Sequence, residues 1–247
     1  MICVLVLLLG FMVLLVLAFV RLTVVHPSSR VLPRVLQYPS RSRTNNISVA
    51  LLLCTVNTEE RRSMYEDVIL WWLDHTPTFD LFIVDSTTNS FHPRIESECR
   101  ICRFDQTVLP NYEQIKKQTT PLEIYALQQA HNHFASEWSS YTYVIKLTGK
   151  YKLPTLHTVL ESVMKDDSID RFVQSIHSPN WQNTELLVVK TSLFQNMLNF
   201  LKVYDDGILA EIRFHYYNTY NTKYKRLPKL QNLARYKRSD GKFLIYL

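Results

Sequence analysis

Three lysines gather around one glycine in the stretch Tyr143-Val144-Ile145-Lys146-Leu147-Thr148-Gly149-Lys150-Tyr151-Lys152. The chain has 4 glycines in 247 residues, and Gly149 is the only one between residues 11 and 206. Its place after an apolar strand pattern points to a backbone need, either a positive φ or the close approach of a ligand. Lys146, Lys150 and Lys152 concentrate positive charge there, and Lys146 and Lys150 share a face if the strand runs on through the glycine. Such a cluster suits a phosphate; a solvated basic strand end with an ordinary turn is the plain alternative. A second basic pair, Lys116-Lys117, precedes Thr120-Pro121-Leu122-Glu123, where Thr capping, Pro at the first helical position and Glu at the third mark a helix start. A helix N-terminus beside lysines is ready for an anion, although Glu123 competes for the same N–H donors.

The other reactive residue types say less. Cys99-x-x-Cys102 has no second pair, and a strand would send the two thiols to opposite faces, so no structural metal is expected. Cys54 sits inside an apolar run as a small core residue. Neither GxGxxG nor GxxxxGK(S/T) occurs, which removes the glycine-rich phosphate loops.

Positioning these residues requires a layered α/β body. Val49–Thr55, Asp80–Asp85, Cys99–Phe104, Tyr141–Leu147, Arg171–Ile176 and Glu185–Lys190 read as strands. After the first, Asn57 with Glu60 three residues later supplies an N-cap, and the helix that follows buries Met64, Val68, Trp71 and Trp72. Further helices are predicted from Pro121 to about Ala135, near Thr155–Lys165, over Ser192–Val203 and over Ile208–Tyr220. In an open α/β sheet ligands sit beyond the carboxyl ends of the strands, which singles out Thr55 and Asn57, Asp85 and Ser86, and Thr148 to Lys152.

Charge is unevenly placed on a chain of net +6. Residues 21–58 carry five Arg and no acid, and 223–247 carry eight Lys or Arg against Asp240, so the body between them is net acidic. That argues against a nucleic-acid-binding body, while the basic ends could meet anionic lipid or polymer. Residues 2–20 hold no charge, enough at about 1.5 Å per residue to cross a hydrocarbon core of about 30 Å. A membrane anchor over 1–25 is the reading, with a cleaved signal peptide as the alternative. Arg21, Arg30 and Arg34 after the span argue for a cytosolic body, and the sequon Asn46-Ile47-Ser48 argues for a glycosylated, lumenal one. Residues 26–46, with three Pro and no apolar period, read as a stem, 47–222 as the catalytic domain and 223–247 as a basic C-terminal segment.

The order of these elements, with Asp85 closing the second strand and Lys146 to Tyr151 closing the fourth, resembles the GT-A-type glycosyltransferases. More narrowly it resembles a group in which the strand runs into Lys, Ile or Leu, Ser or Thr, Gly, Arg or Lys, and Tyr in place of the acidic DxD; Lys117 and Glu123 resemble that group's helix entry. The resemblance covers about residues 48–220 and implies a single Rossmann-like GT-A domain, with a mostly parallel sheet flanked by helices, behind the membrane span. It implies a nucleotide-sugar donor, a glycan, lipid or protein acceptor, and a body in the secretory lumen of the Golgi or ER. Donor binding then falls to Thr55, Asp85 (toward the nucleoside), Lys117, Glu123, Lys146, Thr148, Gly149 and Tyr151. Lys150 and Glu211 are the catalytic candidates, Glu211 as general base, with Asp205 and Asp206 as alternatives to it. Because no Asp pair stands after the fourth strand, cationic lysines take the place of a divalent metal, and metal-independent transfer is expected. A catalytically silent GT-A-like scaffold, or an anchored protein whose basic tail binds anionic lipid or polymer, are the other two classes.

Overall fold

The structure is a computed structural model that describes residues 48–76, 79–109, 112–116, 119–156, 160, 166, 168–173, 184–202, 210–221, 223–227, 233–237 and 242–246. All lie within one compact unit, Ser40–Leu247. The apolar span 2–20, the stem, Asn46, Lys117, Asp205, Asp206 and most of the helix predicted near 155–165 lie outside the described residues. Among the described residues no helix is long and apolar enough to cross a membrane.

A seven-stranded sheet in the order β3-β2-β1-β4-β7-β6-β8 forms the middle layer. Its strands are β1 (Val49–Thr55), β2 (Asp80–Asp85), β3 (Arg100–Arg103), β4 (Tyr143–Thr148), β6 (Arg171–Val173), β7 (Leu186–Lys190) and β8 (Tyr224–Arg226). All run parallel except β7, which is antiparallel to both its neighbours β4 and β6. The near-continuous apolar runs of β1, β2 and β4 follow from this arrangement, because a parallel sheet is covered on both faces.

The helices divide between the two faces. On one, α1 (Glu59–His75) lays Tyr65, Val68, Ile69, Trp72 and Leu73 over Leu51, Leu53, Ile83 and Ile145. On the other, α4 (Thr119–Trp138) and α5 (Thr191–Lys202) cover Ala50, Leu52, Phe82, Val84 and Val144 with Leu127, Phe134, Trp138, Phe194 and Leu198. Helix α6 (Ala210–Asn221) adds Phe214 and Tyr217 to the second face. Short helices α2 (Pro93–Glu98) and α3 (Tyr112–Ile115) bridge β2 to β3 and β3 to α4. The crossover from β1 to β2 runs through α1 and that from β3 to β4 through α4. The chain therefore reverses its direction of sheet growth between β1 and β4, where open α/β sheets have their ligand crevice.

Two local expectations are corrected. The buried stripe of α1 is centred on Tyr65, Ile69 and Leu73, leaving Met64 and Trp71 only partly buried. The N-cap is Thr58 rather than Asn57, and Thr58 makes no side-chain cap bond. Asn57 is instead wholly buried, its amide donating to the carbonyls of Asn89 and Ser90 at 3.4 and 3.2 Å.

The basic C-terminal stretch is woven into sheets. β8 pairs with β6, while β9 (Leu233–Lys237) lies between β10 (Lys242–Tyr246) and β5 (Tyr151–Lys152) in a three-stranded antiparallel sheet. That pairing sets Arg235 in register with Tyr151, directly after the lysine-rich turn.

Candidate functional site

The carboxyl ends of β1, β2 and β4 meet in a network built around Asp85. Its carboxylate is fully buried and accepts from the Thr55 hydroxyl at 2.8 Å, the Asn57 N–H at 2.8 Å, the Thr87 N–H at 3.2 Å and the Thr87 hydroxyl at 2.5 Å. The bond from Asp85 back to the residue two ahead is the Asx-type turn that short polar side chains favour at strand ends. Asn89 completes the loop by donating its amide to the Asn57 carbonyl at 2.7 Å. Four donors fill the acceptor capacity of one carboxylate. Asp85 therefore shapes the loops, and no face of it is open to a nucleoside. Beside it Asn57 Oδ1 is buried without any donor, an arrangement that native structures rarely leave unanswered.

Gly149 joins β4 to this network. Its N–H donates to the Cys54 carbonyl at 2.9 Å. A Cβ built on it would stand 2.7 Å from Thr55 Cγ2 and 2.9 Å from the Cys54 carbonyl oxygen, and its φ is outside the left-handed range. The glycine is thus required by the closeness of two strand ends, and of the two needs offered by the sequence the positive φ does not hold. The turn at Gly149-Lys150 also interrupts the strand, so Lys146 and Lys150 are not two steps along one continuous face.

The lysines separate accordingly. Lys146, 2% exposed, stands on the α4 face of the sheet with Leu52 and Leu187 as its register neighbours. Its ammonium is bound to the Glu123 carboxylate and the Thr184 carbonyl. Burial, the largest single influence, pulls its pKa down, but the charge and hydrogen bond of Glu123 together with the nearby Cys54 and Glu185 outweigh it and leave the pKa raised, so the lysine is charged and its charge is spent inside the protein. Lys152 pairs with Asp67 at 2.8 Å. The Lys150 ammonium lies 5.4 Å from the centre of the Tyr151 ring. Cys54, alongside Lys146, has its thiol pushed up to about 12 by burial, so it is no nucleophile at neutral pH.

Other positions from the sequence fall nearby. The Thr148 N–H donates to the Glu185 carbonyl at 2.9 Å, and Glu185 also accepts from the Tyr151 hydroxyl. The Trp72 indole N–H donates to the Tyr151 carbonyl at 3.0 Å, fixing the turn against α1. Pro121 and Glu123 stand inside α4, which begins at Thr119. Glu211 lies in the first turn of α6, and its side chain is outside the description. Cys99 packs in the α1-side core and Cys102 in the opposite one, its thiol 3.7 Å from the Gln129 carbonyl oxygen. Sequence reasoning missed Glu185, Thr184 and Thr87; only Thr87, two residues past a strand-ending Asp, carried a local signal.

A GT-A resemblance ordinarily implies a divalent ion. Among the described residues no three His, Cys, Asp or Glu side chains come together to hold one, and the Asp85 carboxylate is already saturated. The described residues at the crevice do not fit such an ion.

No family model matches the chain, and no curated protein sequence matches it. Among solved structures it is similar to the galactosyltransferase LgtC in complex with donor and acceptor sugar analogs, at 7% identity over 71% of this chain and 72% of that one, TM-score 0.42. It is similar to the glycosyltransferase GlyE of Streptococcus pneumoniae TIGR4 at 7% identity over 74% of this chain, TM-score 0.43, and the match spans 45% of GlyE. A cytidylyltransferase from Leptospira borgpetersenii serovar Hardjo-bovis is similar at 10% identity over 74% of this chain and 76% of that one, TM-score 0.44. The fold stands on its own topology as a mixed α/β domain with a mostly parallel seven-stranded sheet.

Proposed function

We propose that the chain is a membrane-anchored glycosyltransferase that moves a sugar from a nucleotide-sugar donor to an acceptor hydroxyl without a DxD-bound metal. The observation that carries the reading is the junction at the sheet's switch point. There Thr55, Asn57 and the Gly149 turn are drawn together, with Lys150 beside them. In this reading Asp85 positions the loop, and the buried Asn57 Oδ1 accepts from an N–H or O–H of the donor's nucleoside. Lys150 offsets charge on the diphosphate as the sugar's anomeric C–O bond breaks and the electron pair passes to the departing phosphate oxygen. The acceptor oxygen forms the new bond, and its proton passes to Glu211. Lys146 with Glu123 and Tyr151 with Glu185 hold the turn in place. Residues 2–20 anchor the body, which then lies in the secretory lumen.

A second reading, a silent GT-A-like scaffold, is favoured by the internal neutralisation of Asp85, Lys146 and Lys152. Thermal unfolding of the full chain with UDP, GDP, CMP and their sugars, with and without Mn²⁺, separates the two. A nucleotide at 100 times its dissociation constant stabilises by about 2.7 kcal/mol. Stabilisation by one nucleotide without metal, together with sugar transfer that Lys150→Ala abolishes at unchanged stability, is the expected result. Stabilisation that needs Mn²⁺ removes the lysine-for-metal step, and no response to any nucleotide favours the scaffold.

A further inference from the structure

At the pole of the sheet opposite the crevice, a cavity of about 480 Å³ opens where α4 ends and α5 begins. The length of β4, six residues, separates the two places by roughly 20 Å. His131 and Trp138 of α4, Tyr141, and Lys190, Thr191 and Ser192 at the β7 to α5 junction line it. A backbone bond from the Thr191 N–H to the Thr142 carbonyl at 3.0 Å holds the junction against the start of β4. The volume lies in the range of small-molecule sites.

Two buried polar groups in this lining have no partner. Trp138 is fully buried and its indole nitrogen meets no acceptor; the Thr191 hydroxyl is likewise buried and unmatched. Indole N–H can only donate and a hydroxyl can donate, so both are answered by the same kind of ligand atom, an acceptor. The first turn of α5 faces the cavity through Thr191 and Ser192 and contains no acidic residue, so the positive end of a twelve-residue helix adds to them. Lys190 stands at the same junction, 3.5 Å from Asp170. The remaining walls combine flat rings with the small residues Ala135, Ser139 and Thr142. The His131 ring lies parallel to Phe194 and edge-on to Trp138, and Ala135 closes the side.

We propose that this cavity binds a small aromatic carboxylate, whose oxygens accept from the Thr191 hydroxyl, the Trp138 indole N–H and the start of α5, while its ring packs between His131 and Tyr141. The site is remote from the switch-point crevice and independent of the transferase reading.

Calorimetric titration of the full chain with 2-naphthoate and its neutral twin 2-naphthamide tests it. The expected result is saturable one-to-one binding of the acid, at least about tenfold tighter than the amide, the scale of one charge-assisted hydrogen bond. Thr191→Val is expected to weaken the acid by about tenfold and the amide, whose carbonyl accepts only an uncharged bond, by clearly less. Ser192→Glu, at an exposed position that a helix N-terminus accepts, is expected to abolish acid binding by repulsion without disturbing the core. Adding the nucleotide that occupies the crevice should not compete. No saturable binding at millimolar acid, equal binding of acid and amide, or acid binding that neither variant alters would each overturn the proposal.

Discussion

At the carboxyl end of the sheet Asp85 accepts four hydrogen bonds, and Lys146 is held by Glu123 and a carbonyl. At the amino end the Trp138 indole and the Thr191 hydroxyl are buried with nothing to meet. The same α4 helix reaches both: Glu123, near its start, neutralises a lysine, and Trp138, at its end, is left an orphan. The difference is one of how each end can use a ligand. Where the protein has satisfied its own charges, the donor of the proposed reaction would meet a rigid frame in which Asn57 Oδ1 alone of these groups lacks a partner. Where donors stand unanswered, the proposed carboxylate would complete the hydrogen bonding.

The sharpest way to break this comparison is to unbalance the neutralised end. Glu123→Leu leaves the Lys146 amine without its carboxylate partner at a position only 2% exposed, and removal of one partner of a buried pair typically costs about 3–5 kcal/mol. Combining it with Lys146→Met is expected to recover most of that loss, because the pair leaves together and Met fits among Leu52 and Leu187. Denaturant unfolding of the single and double variants measures both. A loss under about 1 kcal/mol for Glu123→Leu would show that the lysine reaches water and that the end is not self-contained.

Gly149→Ala comes next. The added methyl meets Thr55 Cγ2 and the Cys54 carbonyl inside contact distance, and overpacking of this kind costs about 1–3 kcal/mol. Thr55→Ser removes Cγ2 while keeping the hydroxyl that Asp85 accepts from, so the double variant should regain part of the stability. The carbonyl stays, and so the rescue is partial. If Thr55→Ser restores nothing, the backbone contact alone sets the need for glycine.

Much of this frame was legible in the chain, and the losses have a common cause. The buried runs VALLLCT, DLFIVD and YVIKLT carry the parallel strands because both faces of such a sheet are covered. Position after those strands singled out Thr55, Asn57, Asp85 and Thr148 to Lys152, and the fold places them together at the carboxyl ends of β1, β2 and β4. What failed depended on partners distant in sequence. Nothing local to Lys146 shows that Glu123 will meet it, or that Gly149 is required by Thr55 some ninety residues earlier. Residues 223–247 read as a basic C-terminal segment, and its strand pairing with β6 and β5 was not legible because that pairing spans much of the chain. The face of α1 slipped by one position because adjacent Trp71 and Trp72 fit two helical stripes equally.

Cys54 supplies the smallest test at neutral pH and the finest probe of the self-contained end. Burial raises its thiol to about 12, against a lowering influence from the neighbouring Lys146, and Cys102 on the same face of the sheet is raised to about 11 by burial. A raised thiol pKa favours the protonated form in the folded state. The stability it contributes is therefore fully present below the unfolded value of 9.0 and fades as pH rises from there toward about 12. Labelling with iodoacetamide at pH 8 should leave Cys54 unmodified in the native chain and modify it fully in denaturant. Glu123→Gln removes the negative charge that holds Lys146, so the ammonium acts on the thiol without its counter-ion. If the pair is closed off as described, native labelling of Cys54 should rise in that variant and return to baseline when Lys146→Met is added. Rapid labelling of the unaltered native chain at pH 8 would mean that water enters beside β1, and the contrast between the two ends of the sheet would fail next to the Lys146–Glu123 pair.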